Sequence, residues 1–199
     1  MEEPVIEEPT LPPAQGEEQH LSLALANSVI ALPGGHTVDR LGTPDQANHW
    51  LTERGLAPVD VGMREMCAAQ LRSLREQTRS LFASRAAGLP ALPAAVTAIN
   101  DAMTRVSAAP LLQWDDKDGP YRATRHPTTE ILDHALAALA ADAADLLTGS
   151  EVERLTACGS PPCNRYLLRH GRRHWCSTRC GDRARAARAY ARRNQPKAP

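Results

Sequence analysis

The sequence predicts a mainly α protein: an α-rich N-terminal domain with a short β-hairpin, then a small C-terminal module of knuckle, hairpin and helix. Three observations carry this. Apolar residues recur every three or four positions in several segments between residues 19 and 149, and four of the five cysteines fall between Cys158 and Cys180. Charge also separates along the chain. From Glu151 to Pro199, 12 basic residues face 3 acidic ones, a net +9, so the first 150 residues carry −9 although the whole chain is neutral.

With 199 residues and 42% hydrophobic composition, the chain has material for one ordinary core and a small appendage that needs help to fold. No apolar run approaches the roughly 18–20 residues needed to span a bilayer, and the start is acidic and proline-rich where a signal peptide is basic and then apolar. A soluble, cytoplasmic protein with reduced cysteines is expected.

Residues 1–18 hold four prolines and six glutamates and are expected to form a disordered tail. Residues 19–149 are expected to form the α-rich regulatory or ligand-sensing domain. In "HLSLALANSVIA", Leu21, Leu25 and Val29 share a helical stripe ended by "LPGG", although Leu21, Leu23 and Leu25 also suit a strand. Thr43, Pro44 and Gln46 start a capped helix that Gly55 ends. A longer helix from about Arg64 to Ala87 presents Cys67, Leu71, Leu74, Thr78 and Leu81, with lone Cys67 read as core packing. The next begins near Pro93, turns Val96, Ile99, Met103 and Val106 inward, and stops at Pro110. "LLQWDDKDGPYRAT" reads as the hairpin. "TTEILDHALAALAADAADLLTG" is a helix with Ile131, Ala135, Leu139 and Leu146 or Leu147 on its apolar side and Gly149 at its end. Residues 150–156 form a connector, 157–194 the module and 195–199 a flexible tail.

In the module, "GSPP" between Cys158 and Cys163 favours a tight reversal that brings two sulfurs together. Cys176 and Cys180 are spaced to share the face of a helix's first turn. The pattern Cys-x4-Cys-x12-Cys-x3-Cys lets a knuckle, hairpin and helix meet around one ion in a treble-clef-like arrangement, and four thiolates suit structural Zn2+. Iron–sulfur ligation, a disulfide or a metal-free module are the alternatives, and His170 and His174 are competing donors. Metal answers a folding need, since Tyr166, Leu167, Leu168, Trp175 and Tyr190 are too little apolar material for a self-supporting core.

Arginines form a second layer. Arg185, Arg188 and Arg192 share one face of the last helix, Arg179 and Arg183 lie around its other side, and Arg172 and Arg173 sit on the preceding turn. All seven are candidate contacts to double-stranded DNA through phosphates or guanine edges. The competing reading is a zinc-stabilised protein-interaction adaptor whose basic face binds an acidic partner. An enzyme is not expected: Asp39, His49, Asp115, Asp116 and His126 form no specific motif, so no catalytic residue is assigned. A homodimer and a small-molecule effector of the N-terminal domain remain open partners.

"CNRYLLRHGRRHWCSTRCGDRARAARAYARR" resembles the second cysteine, basic hairpin, Trp-Cys pair, Cys-Gly-x-Arg signature and basic helix of the bacterial CGNR zinc-finger family of stress-induced transcription regulators. "LALANSV", "GTPDQANHWL", "LRSLREQTRSLF" and "AIN" resemble that family's N-terminal domain in the same order. The resemblance implies zinc on Cys158, Cys163, Cys176 and Cys180, DNA binding and transcription regulation. Three features depart from the pattern: Asp182 stands where Asn is expected, the hairpin is shorter, and "RHWC" replaces a doubled arginine before Trp-Cys.

Overall fold

The computed structural model describes residues 11–59, 62–106, 111–117, 119–123 and 131–194. Its elements run α1 (Leu21–Ala26), β1 (Val29–Ala31), β2 (Thr37–Asp39), α2 (Pro44–Thr52), α3 (Glu65–Ala87), α4 (Pro93–Thr104), β3 (Leu111–Asp115), β4 (Gly119–Ala123), α5 (Ile131–Thr148), a 3-10 turn (Ser150–Arg154), β5 (Leu155–Ala157), β6 (Tyr166–Leu168) and α6 (Thr178–Arg193). The protein is mainly helical, with small antiparallel hairpins and a treble-clef-like C-terminal module. Among the described residues no helix is long and apolar enough to cross a membrane.

The helices follow their local chemistry. Thr43 Oγ1 accepts from the Gln46 N–H while the Gln46 side chain accepts from the Thr43 N–H, and Pro44 occupies the first helical position of α2. Gly88 ends α3 with a φ of 66°, a left-handed conformation that glycine adopts freely. Helices α1, α3, α4 and α5 enclose a core of Leu25, Leu71, Leu74, Leu81, Ile99, Leu136 and Leu139, with Trp50 and Leu51 of α2 added at one end. Ala95 and Ala102 flank Ile99 on the buried face of α4, leaving Val96 exposed, and Ala68 is buried in α3 where Cys67 is only half-buried. Small residues let these helices approach closely, a role that apolar periodicity weighted toward large side chains does not display.

Two expectations about the chain's start are corrected. The helical stripe through Val29 breaks after Ala26, because Val29–Ala31 pairs antiparallel with Thr37–Asp39. "PGG" is the turn of that hairpin: Gly34 and Gly35 both have positive φ, and the Leu32 N–H donates to the His36 carbonyl at 2.8 Å. The proline-rich start is not a free tail from Leu11 onward. Ala14 is buried, the Gln15 carbonyl accepts from the Leu168 N–H at 2.8 Å, and Glu17 pairs with Arg165 at 2.6 Å. Gly16, with a φ of 91°, lies so close to Leu168 that an added Cβ would sit 2.6 Å from its Cγ. Charge and proline content favour disorder only where the charges find no partner, and Glu17 has one.

Strand β6 joins the two parts of the molecule. It pairs with β5 in the register Leu155↔Leu168 to Ala157↔Tyr166, and all three of its residues are buried. Side chains alternate along a strand. Tyr166 and Leu168 accordingly pack with Leu23, Ala26, Phe82 and Leu146 of the helical body, while Leu167 packs with Ala14 and the cysteines. Polar contacts reinforce the seam. The Asn27 side chain accepts from the Tyr166 N–H at 2.7 Å and donates to its carbonyl at 2.9 Å, and Arg79 donates to the Asn164 carbonyl at 3.0 Å.

A candidate metal centre and its basic face

Each cysteine is placed by a different local device. Cys158 follows β5, and its N–H donates to the Arg165 carbonyl at 2.8 Å across the base of the knuckle. Cys163 closes that knuckle by donating its N–H to the Ser160 carbonyl at 3.0 Å. Cys176 precedes the last helix, so the expected shared helical face is corrected: Ser177 is the N-cap of α6, and its Oγ accepts from the Cys180 N–H at 3.2 Å. That cap fixes the first turn and hence the direction of Cys180.

The four sulfurs lie within 4.8 Å of one another, with Cys163 and Cys180 each 3.6 Å from Cys176. A tetrahedron with metal–sulfur bonds of about 2.3 Å requires sulfurs roughly 3.8 Å apart, so the donor set fits one ion. Without a cation the Cys158, Cys163 and Cys176 thiols are pushed in opposite directions by one another. Hydrogen bonds from Cys163 and Cys176 push the Cys158 thiol down to about 2, and donation to Cys158 pushes Cys163 up to about 11 and also raises Cys176. A cation at the centre favours the thiolate form of the cysteines that hold it. Among the described residues no histidine joins the group: His170 and His174 are exposed, and the His174 carbonyl accepts from Gly159.

The arginines fall into two sets. Arg172, Arg173, Arg179, Arg185, Arg188 and Arg192 are exposed, as are Arg169 and Arg193, which sequence reasoning passed over although Arg193 directly follows Arg192. Trp175 organises two of them. Its indole lies against Gly181, where an added Cβ would come within 2.5 Å of Nε1, and the Arg185 and Arg188 guanidiniums stand 6.0 and 5.6 Å from the ring centroid. Asp182 is exposed on the first turn and ion-pairs with Arg185. Arg183 behaves differently: it is half-buried, donating to the Ser160 carbonyl at 2.8 Å and to Cys180 Sγ at 3.3 Å. Arg165 is 2% exposed; it donates to Glu17, to the Pro12 carbonyl and toward Cys176 Sγ at 3.9 Å. The sequence carried no signal for Arg165 beyond its nearness to Cys163.

Of the residues weighed for catalysis, those that are described fall on β2, α2 and the β3–β4 hairpin. Asp39 is taken up by Arg75, with oxygen–nitrogen distances of 2.5 and 2.9 Å, and exposed His49 pairs with Glu53. Asp115 and Asp116 lie at the end of the β3–β4 hairpin, and His126 lies outside the described residues.

Fold and site together define a helical domain carrying a four-cysteine finger capable of holding a metal ion. Residues 19–150 match the family model ABATE, described as "Putative stress-induced transcription regulator", and residues 154–193 match the model described as "CGNR zinc finger". The chain belongs to the ABATE family and carries a C-terminal CGNR zinc finger. No curated protein matches it.

Proposed function

We propose that the protein is a zinc-containing, DNA-binding transcription regulator, in which Zn2+ on the four cysteines holds the finger and the finger's arginines meet the duplex. The observation that carries this reading is the exposed set Arg172, Arg173, Arg179, Arg185, Arg188 and Arg192 on the finger, with Arg185 and Arg188 steadied by Trp175. Phosphate contacts from such a face supply affinity at any sequence, and an arginine that reaches a guanine edge adds discrimination. The metal supplies folding energy only, and we assign the protein no chemical turnover and a cytoplasmic location.

A regulatory role for the helical body is supported by an apolar groove of about 360 Å³ between α3, α4 and α5, lined by Leu81, Leu89, Val96, Ile99 and Leu147. The body is joined to the finger through β6, so an effector there would act on a connected framework. The test is duplex binding across a salt series before and after Arg185, Arg188 and Arg192 are together replaced by Ala. Weaker binding to every duplex supports the reading. Unchanged affinity, or a finger that captures acidic protein but no DNA, would favour the adaptor instead.

A further inference from the structure

We propose that Arg183 neutralises and braces the metal centre instead of contacting nucleic acid, while Arg165, ion-paired to Glu17, donates toward a second sulfur; this rests on the zinc reading above. Zinc bound by four thiolates carries a net double negative charge, and a buried charge must be paired to persist. The site is buried, with Cys158, Cys176 and Cys180 at 6–7% exposure, and two guanidiniums are directed at its sulfurs. Arg183 Nη2 is 3.3 Å from Cys180 Sγ, and Arg165 Nη1 is 3.9 Å from Cys176 Sγ. These are the two cysteines of the second ligand pair.

Arg183 also ties the two ligand pairs together. The nitrogen that faces Cys180 donates at 2.8 Å to the carbonyl of Ser160, the 1% exposed residue inside the Cys158–Cys163 knuckle. Its Nε is buried with no protein partner, and its Nη2 is committed to Ser160 and Cys180. A lysine keeps the charge, but its compact ammonium on a flexible stem lacks the rigid guanidinium plane that aims Nη2 at both acceptors. Cys180 ligates, Gly181 makes room for Trp175 and Arg183 braces, so only Asp182 of the Cys-Gly-Asp-Arg signature is turned toward solvent. The signature is a device for holding metal, and DNA contact is left to the exposed arginines around it.

Two measurements on the full chain and its Arg183→Gln and Arg183→Lys variants separate the possibilities. Zinc affinity, read by competition with a chromophoric chelator, is expected to fall about 10–100-fold in Arg183→Gln, the usual cost of losing a residue that orients a metal ligand, and by less in Arg183→Lys. With zinc saturating, the slope of log affinity for duplex DNA against log salt is expected to stay at the wild-type value in both. Unchanged zinc affinity together with a slope shallower by about 0.9 would make Arg183 a phosphate contact and overturn the proposal. The wild-type measurements separately decide the zinc and DNA readings: a wild type that holds zinc but binds no DNA leaves the chelator result to judge Arg183, and one that holds no zinc overturns both.

Discussion

Replacing Asn27 with Ala tests whether β6 is the joint between the helical body and the finger. Asn27 is 2% exposed, and its amide mimics a paired strand by accepting from the Tyr166 N–H and donating to the Tyr166 carbonyl, with a third bond to Glu17 at 3.1 Å. Alanine leaves two buried backbone groups of β6 without partners. Each costs about 1–3 kcal/mol, so the loss is about 2–6 kcal/mol. For a chain of this size, at about 2–4 °C per kcal/mol, the melting temperature is expected to fall by on the order of 10 °C. Differential scanning calorimetry reads that fall, and amide hydrogen exchange at Tyr166 should accelerate while amides in the middle of α3 remain protected. A melting temperature within about 1 °C of wild type with unchanged exchange at Tyr166 would refute the assignment of β6 as the joint.

Three other outcomes are expected. Cys176→Ser, which removes the sulfur 3.6 Å from both Cys163 and Cys180, should abolish stoichiometric zinc binding by metal analysis while circular dichroism retains the signal of the helical body. Gly181→Ala forces a Cβ to within 2.5 Å of Trp175 Nε1 and should cost about 1–3 kcal/mol in denaturant unfolding of the zinc-loaded protein. Burial raises the Asp39 carboxyl, but hydrogen bonds from Arg75 and the Leu41 N–H, with the Arg75 and Arg72 charges, outweigh it and hold Asp39 below its ordinary range. Asp39 therefore contributes stability that is fully present above its unfolded pKa of about 3.9 and is lost as pH falls through the lower folded value. Asp39→Asn should lower neutral-pH stability and flatten that acid limb in melting curves recorded against pH.

The extent to which fold and site could be read from the chain depended on whether a signal was local. The Thr43-Pro44-Gln46 cap, the helix ended by Gly88 and the four-cysteine spacing each declare themselves within a few residues, and the structure contains all three. The Ser177 cap was equally local but was obscured by the spacing of Cys176 and Cys180, which also suits one helical turn. Long-range partners were invisible. Nothing near Glu17 announces Arg165, 148 positions away, and nothing near Asn27 announces the backbone of Tyr166, 139 positions away. Arg183 looked like its neighbours because sequence shows a charge without showing which atoms it faces.

The central claim is that a metal-held finger presents arginines to the DNA backbone. It is tested most directly by measuring the affinity of the full chain for duplex DNA across a salt series in the zinc-loaded state, after chelation, and after zinc is restored. Affinity in the loaded state should fall steeply with salt, at about 0.9 in log–log slope for each phosphate contacted, vanish on chelation and return with zinc. Binding that is flat with salt, or that survives removal of the metal unchanged, would contradict it.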